Sequence, residues 1–439
     1  MMRVTATTRS RAKGSTTPPL RDSQGSDEQK SAITEHLAET DMTYQASKTT
    51  RAVRASIESD TQHGAVVPPL HLSSNFSFAG FGEKRQYDYT RSGNPTRDAL
   101  ADALTELEGG AGAVVTSSGM AALTLLTQLL EPGDTIIAPH DCYGGTYRLF
   151  DQQSKKGLFE VIFVDQTDID ALTKAAQRKP KIILAETPSN PLLRIVDIEK
   201  ISTIARGAGA LLAVDNTFLS PALQNPIEFG ADLVIHSTTK YINGHSDVVG
   251  GCIVAATEEL AEKIRYWANC IGVTGAPFDS FLTLRGIRTL HPRIRQHEET
   301  ASLIADVLNK HDLVDRVYYP GLATHPGHDI AKRQQRGFGG MLSFEISGYT
   351  DAVRAFVENL QFFSLAESLG GVESLVCHPA SMTHAPVCPK ALSEAGIGQN
   401  LIRLSVGLES SEDLVADILA ALEVARSVRT RAAVAVVGA

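Results

Sequence analysis

Long apolar runs are missing from this chain. The longest, Met120–Leu130, is interrupted by Thr124, Thr127 and Gln128. It falls short of the roughly 18–20 residues a membrane span needs, so no membrane partner is expected. Cysteine is sparse too. Cys142, Cys252, Cys270, Cys377 and Cys388 are odd in number and form no C-x-x-C pair, which argues against a disulfide framework and for a reduced, cytoplasmic setting. A basic stripe is also lacking. With a net charge of −9, nucleic acid is not expected as a partner. Metal-ligand spacing is absent as well: His325 and His328 form a pair with no third ligand in view and read as a loop turn, so no metal is expected.

What is present is a chain of 439 residues with 43% hydrophobic content, enough for a sizeable core and about two or three domains. Met1–Arg21 differs from the rest, with Arg3, Arg9, Arg11, Lys13 and Arg21 and no acid among Thr, Ser and a Pro-Pro pair. Residues 1–43 are read as a disordered basic tail or a mis-assigned start preceding Met42, with a targeting segment as the third reading. Residues 44–94 lack a helical period and carry Pro68-Pro69. They are expected to be an extended arm that contacts a neighbouring subunit, because such a segment cannot bury much of its own surface.

From Pro95 the pattern becomes α/β. Thr96–Leu107 places Leu100, Leu104 and Leu107 on one helical face, and Gly109-Gly110 is the stop. Seven short apolar segments follow: Ala113–Val115, Thr135–Ala138, Val161–Val164, Ile182–Ala185, Leu211–Val214, Leu233–His236 and Cys252–Ala255. Helix-length stretches lie between them, among them Ala121–Leu130, Asp168–Ala176 and Asp197–Ala208. Apolar strands spaced by helices predict a mostly parallel seven-stranded sheet covered on both faces, over residues 95–292. Residues 293–439 predict a smaller α+β domain: a long helix through Leu303, Ile304, Val307 and Leu308, strands Met341–Ile346 and Leu401–Leu404, and a closing helix Glu412–Ala425. The final AAVAVVGA is read as a frayed tail.

Ligands of such sheets sit outside the carboxyl ends of the strands, and four features converge there. Ser117-Ser118-Gly119-Met120 joins a strand to a helix N-terminus and suits an anion. Leu211–Val214 ends in Asp215, a buried carboxylate that wants a cationic partner. His140-Asp141-Cys142-Tyr143-Gly144-Gly145 brings an aromatic face to the rim. Leu233–Ile235 empties into His236-Ser237-Thr238-Thr239 and then Lys240. A free lysine amine, with a pKa of about 10.4, needs desolvation or a covalent partner to act as base or nucleophile. Phosphate donors, an acid for a ring nitrogen, an aromatic to stack and an imine-forming lysine together specify pyridoxal 5'-phosphate.

The same residues carry a resemblance. The chain resembles the Cys/Met-metabolism family of pyridoxal-phosphate enzymes from about Ala65 to Arg426. The carriers are YTRSGNPTR (Tyr89–Arg97), SSGM (Ser117–Met120), APHDCYGGTYRLF (Ala138–Phe150), ETPSNPLLR (Glu186–Arg194), VDNTFLSP (Val214–Pro221), HSTTKYINGHSD (His236–Asp247), AESLGGVESL (Ala366–Leu375) and LIRLSVGLE (Leu401–Glu409). The resemblance implies an aspartate-aminotransferase-like, fold type I architecture and a homotetramer built from dimers that share active sites. It implies that Lys240 holds the cofactor as a Schiff base and shuttles protons, that Asp215 pairs with the ring nitrogen, and that Tyr143 stacks on the ring. Gly119, Met120, Ser237 and Thr239 would hold the phosphate, joined by Tyr89 and Arg91 from the neighbouring subunit. Asn190 and Arg403 would bind the substrate α-carboxylate, for which the arginine fork is suited. Arg148 would meet a distal carboxylate and Glu367 would face the incoming amino acid, with Asp88 and Ser368 completing the substrate set.

Within the family the likeness is to the branch that carries out γ-replacement in methionine biosynthesis. An O-succinyl-L-homoserine, or another O-acylhomoserine, would lose its acyloxy group and take up L-cysteine to give L-cystathionine. Asp88, the HDCYGGTYRLF run and the PPLHLSSNFSF arm favour that branch. Ser92 departs from it, since such synthases tend to carry a second arginine there, and it keeps open cystathionine γ-lyase or O-acylhomoserine sulfhydrylase activity. A non-catalytic cofactor-binding regulator is the alternative of another class, and the presence of Lys240 and Arg403 argues against it.

Overall fold

The computed structural model describes residues 46–348, 350–385, 392–393 and 395–437. The expected basic tail and Cys388 lie outside the described residues.

The arm begins with a short helix, Lys48–Arg54, capped by the Ser47 hydroxyl. No hydrophobic period announces it, and its anchor is Ala52, which is buried against the core. After it the chain runs largely without regular structure. Val66, Leu72, Phe78 and Phe81 are exposed there.

The helix predicted from Thr96 forms as Pro95–Glu108. The Asn94 side chain accepts from the Thr96 and Arg97 amides, proline occupies the first turn, and Gly109 ends the helix at φ 76°, the left-handed backbone that favours glycine. Leu100, Leu104 and Leu107 are buried in a row, each stabilising the fold by roughly 1.5–3 kcal/mol.

All seven predicted strands form: β1 Gly112–Thr116, β2 Thr135–Pro139, β3 Glu160–Val164, β4 Ile182–Glu186, β5 Leu211–Asp215, β6 Leu233–His236 and β7 Gly251–Ala255. Their order is β1-β7-β6-β5-β4-β2-β3. The β2, β3, β4, β5 and β6 pairings are parallel, and β7 runs antiparallel to both β1 and β6. Alternation sends Ile182, Leu184 and Ala213 to one face beneath Gly119–Thr127 and Glu258–Ile271. It sends Ile183, Ala185, Leu212 and Val214 to the other beneath Ile198–Ala208. Both faces are thereby covered, which is why the strands read as apolar throughout.

The helix Leu290–Leu308 leads to a second sheet, ordered β10-β11-β12-β9-β8. Its strands are β8 Val314–Tyr318, β9 Met341–Ile346, β10 Ser364–Leu365, β11 Leu375–Cys377 and β12 Leu401–Ser405. Strands β8, β10 and β11 escaped the sequence reading because each is short or carries charge, as in VDRVY. Ile402 and Leu404 point into a core with Phe344 and Phe356, whose rings meet edge to face at 5.5 Å. Arg403 must therefore face the other way. The closing helix runs Ser411–Val437 and so continues into the stretch expected to fray. Among the described residues, no helix is long and apolar enough to cross a membrane.

Candidate active site

The carboxyl ends of β4, β5 and β6 open on a cavity of about 400 Å³. Eleven of the predicted site residues line it: Gly119, Met120, Tyr143, Asn190, Asp215, Ser237, Thr239, Lys240, Glu367, Ser368 and Arg403.

One wall is a helix N-terminus. Ser118 caps Gly119–Thr127 by accepting from the Ala121 amide. A Cβ at Gly119 would stand 2.9 Å from the Ser237 Cβ, so only glycine lets these two segments meet. Thr239 exchanges hydrogen bonds with the backbone of Gly250, which fixes the segment ahead of Lys240.

The floor is acidic. Asp215 ends β5, and its carboxylate accepts from the Thr217 amide at 3.0 Å. Its register partner on β4 is Glu186. Burial raises both carboxyl groups, Glu186 well above the usual range with Asp215 adding to the effect. Two buried carboxylates side by side want a cation. A protonated pyridine nitrogen against Asp215 is such a group, and the Gly119–Ser237 cradle with a helix N-terminus suits its phosphate. The residues present fit pyridoxal phosphate.

The far wall belongs to the second sheet. Arg403 is 2% exposed. Its Nη1 donates to Asn190 Oδ1 at 2.8 Å and its Nη2 to the Ser368 carbonyl at 2.9 Å. Its Nε is buried without a partner. Ser368 adopts φ 84°, the left-handed region that costs a non-glycine residue on the order of 1–3 kcal/mol. Lys240 Nζ donates to Ser368 Oγ at 2.7 Å. Burial, with repulsion from Arg403, lowers the Lys240 amine to about 8.

The structure does not bring four predicted residues to this cavity within one chain. Tyr89 is 50% exposed on the arm, with the Arg91 guanidinium 5.8 Å from its ring centroid. Arg91 donates to the Asn269 carbonyl. Asp88 is engaged locally, by Lys84 at 2.6 Å and by the Ser92 hydroxyl at 2.9 Å. Arg148 is exposed on the helix Gly144–Lys155. Ser92, the departure noted in the sequence, closes a turn by donating also to the Tyr89 carbonyl at 2.7 Å.

Three polar residues of the cavity had been given no role: Glu186, Thr217 and Thr383. Glu186 was findable, since it closes a strand that aligns with the one ending in Asp215. Thr383 sits in a loop with no periodic signal. His325 and His328 are occupied by backbone, His325 Nδ1 by the Gly327 amide and His328 Nδ1 by the Pro320 carbonyl. Among the described residues, no group of three or more His, Cys, Asp or Glu is arranged to hold a metal ion.

Comparison with known proteins is consistent with this geometry. Residues 49–423 match the family model described as Cys/Met metabolism PLP-dependent enzyme. Cystathionine gamma-synthase of Escherichia coli (strain K12) is 56% identical over 370 residues, covering 84% of this chain and 96% of the relative. Cystathionine gamma-lyase of Bacillus subtilis (strain 168) is 46% identical over 376 residues, covering 86% and 99%. The crystal structure of cystathionine gamma synthase from Xanthomonas oryzae pv. oryzae in complex with cystathionine superposes with a TM-score of 0.87. It is 60% identical, with 88% of this chain and 100% of that chain covered.

Proposed function

This chain belongs to the Cys/Met metabolism family of pyridoxal-phosphate-dependent enzymes, and from that premise we propose that it joins O-succinyl-L-homoserine, or another O-acylhomoserine, to L-cysteine to give L-cystathionine. The observation that carries the reading is a buried arginine that shares one cavity with a desolvated lysine. Arg403, with Asn190 and the Ser368 carbonyl on two of its nitrogens, is suited to an amino acid's carboxylate and lines the same cavity as Lys240. The synthases of E. coli and X. oryzae, at 56% and 60% identity, support replacement over elimination.

In the reaction, the γ-carbon–oxygen bond of the acylhomoserine breaks, and a γ-carbon–sulfur bond to cysteine forms. Pyridoxal phosphate, when bound, supplies an electron sink for charge that develops beside the amino group. Lys240, Asp215, Gly119, Met120, Ser237 and Thr239 would hold it, with Tyr143 over its ring. The chain's own task is proton movement and orientation. Lys240, lowered to about 8, is poised to take a proton from the α-carbon and then one from the β-carbon as the acyloxy group leaves, and to return both after the cysteine thiolate has added at the γ-carbon. One amine on a four-carbon stem reaches both positions from one side. Arg403 and Asn190 fix the α-carboxylate, and Glu367 at the rim meets the cysteine.

The arm enters the same proposal. Its exposed Val66, Leu72, Phe78, Phe81 and Tyr89 support a neighbouring subunit that covers them and receives Tyr89 and Arg91, within a homotetramer. Four unpaired cysteines among the described residues support a reducing, cytoplasmic setting.

The test is a ratio. We expect kcat/KM for O-succinyl-L-homoserine with cysteine to exceed kcat/KM for cystathionine cleavage at least about tenfold. The reverse ratio would make the protein a γ-lyase.

A further inference from the structure

Glu186 is 8% exposed, and the proposed reaction does not use its carboxylate. Its Oε2 accepts from the Tyr143 amide at 3.0 Å, and its Oε1 accepts from the Asn190 amide at 3.0 Å. Tyr143 precedes the helix Gly144–Lys155 that follows β2, whereas Asn190 lies on the loop after β4. One side chain thus bridges two loops that each supply a residue, Tyr143 and Asn190, to the lining of the cavity.

The bridge is part of a longer circuit. From Asn190 it passes through Oδ1 to Arg403 Nη1 at 2.8 Å, and through Arg403 Nη2 to the Ser368 carbonyl at 2.9 Å. It ends at Lys240 Nζ on Ser368 Oγ at 2.7 Å. A separate tie fastens the same loops further out, where Asp141 Oδ2 accepts from Ser189 Oγ at 2.7 Å and from Arg194 Nη1 at 2.9 Å. The loops are therefore attached without Glu186. Its carboxylate adds a setting to the distance between them.

We infer that Glu186 is a positioning residue for the amino-acid substrate, its carboxylate setting the spacing between the Tyr143 wall and the Asn190–Arg403 wall. The inference rests on the proposed carboxylate role of Asn190 and Arg403. The chemistry of the side chain explains why a carboxylate is kept in a costly place beside Asp215. Both groups it meets are N–H donors, and a carboxyl group presents an acceptor on each of its two oxygens. Glutamine is nearly isosteric but would set an NH2 against one of the two amides. Aspartate keeps the carboxyl group but is one methylene too short to reach both.

The experiment compares cofactor-loaded wild type with Glu186→Gln and Glu186→Asp. For each, KM and kcat with O-succinyl-L-homoserine and cysteine, the visible circular dichroism of the bound cofactor, and Tm are measured. Both variants are expected to raise KM by roughly tenfold, as the loss of a hydrogen bond would. The fall in kcat should be smaller, the cofactor's dichroic band should change, and Tm should stay within a few degrees. Unchanged KM and unchanged dichroism would overturn the inference. So would a large drop in Tm with KM intact in the fraction still folded, because that is the mark of a structural residue only. If Glu186→Gln does not fold, Glu186→Asp decides alone. If wild type shows no saturation by O-succinyl-L-homoserine, the reading of the Arg403 wall falls instead. The dichroism then judges the clamp by itself.

Discussion

Lys240 Nζ donates to Ser368 Oγ at 2.7 Å, a hydrogen bond between the turn after β6 and the segment between β10 and β11. The amine proposed to move protons is thus oriented by the second sheet, through a Ser368 held in a left-handed backbone conformation, φ 84°. Neither sheet alone contains a complete cavity.

Lys240→Ala is expected to lower turnover by at least about 10³-fold, the scale of losing a general base that is also the anchoring nucleophile. Far-ultraviolet circular dichroism should be unchanged, because the side chain leaves a cavity wall and no core. Retained turnover with an intact fold would remove Lys240 from its role.

The Lys240 amine, lowered to about 8 by burial and then by Arg403, is mostly protonated below that pH and mostly neutral above it. Only the neutral form attacks an aldehyde. The rate at which cofactor-free protein takes up pyridoxal phosphate, followed by visible absorbance, should rise with pH through a midpoint near 8. A midpoint near the usual lysine value would show that the amine is not desolvated.

Gly119→Ala drives a Cβ to 2.9 Å from that of Ser237, with the Ser237 Cα at 3.1 Å. Backbone must shift at the cradle, and overpacking of this kind costs about 1–3 kcal/mol. Cofactor affinity, measured by equilibrium dialysis, should fall by roughly tenfold or more. An unchanged affinity would place the phosphate elsewhere.

His297 is buried with Nδ1 against the Val406 carbonyl at 2.7 Å. Burial lowers it to about 4. Unfolded, it would take up a proton near 6.5. The folded state therefore binds fewer protons between those values, and stability should fall as pH drops from about 6.5 towards 4. His297→Gln should make the unfolding free energy, measured by urea titration, less steep over that window. An equal slope in both proteins would contradict the assignment.

Much of this site was legible because its residues end strands. Asp215 and Lys240 stand where apolar runs stop, and a parallel sheet brings such ends to one rim. Arg403 could not be placed that way. Its strand packs Ile402 and Leu404 into one core, and the polar face it turns to the large sheet is a tertiary relation that no local period encodes. Ser368 is further removed, lying in a short segment with a backbone conformation that its side chain does not favour. The helix Lys48–Arg54 was missed for a simpler reason, as seven residues with one buried alanine carry no measurable period.

The most direct test of the account supplies purified protein with O-succinyl-L-homoserine, with and without L-cysteine, and follows cystathionine and 2-oxobutanoate together. Replacement predicts cystathionine with cysteine present and only slow 2-oxobutanoate without it. No consumption of O-succinyl-L-homoserine, with rapid release of cysteine and 2-oxobutanoate from cystathionine, would contradict it.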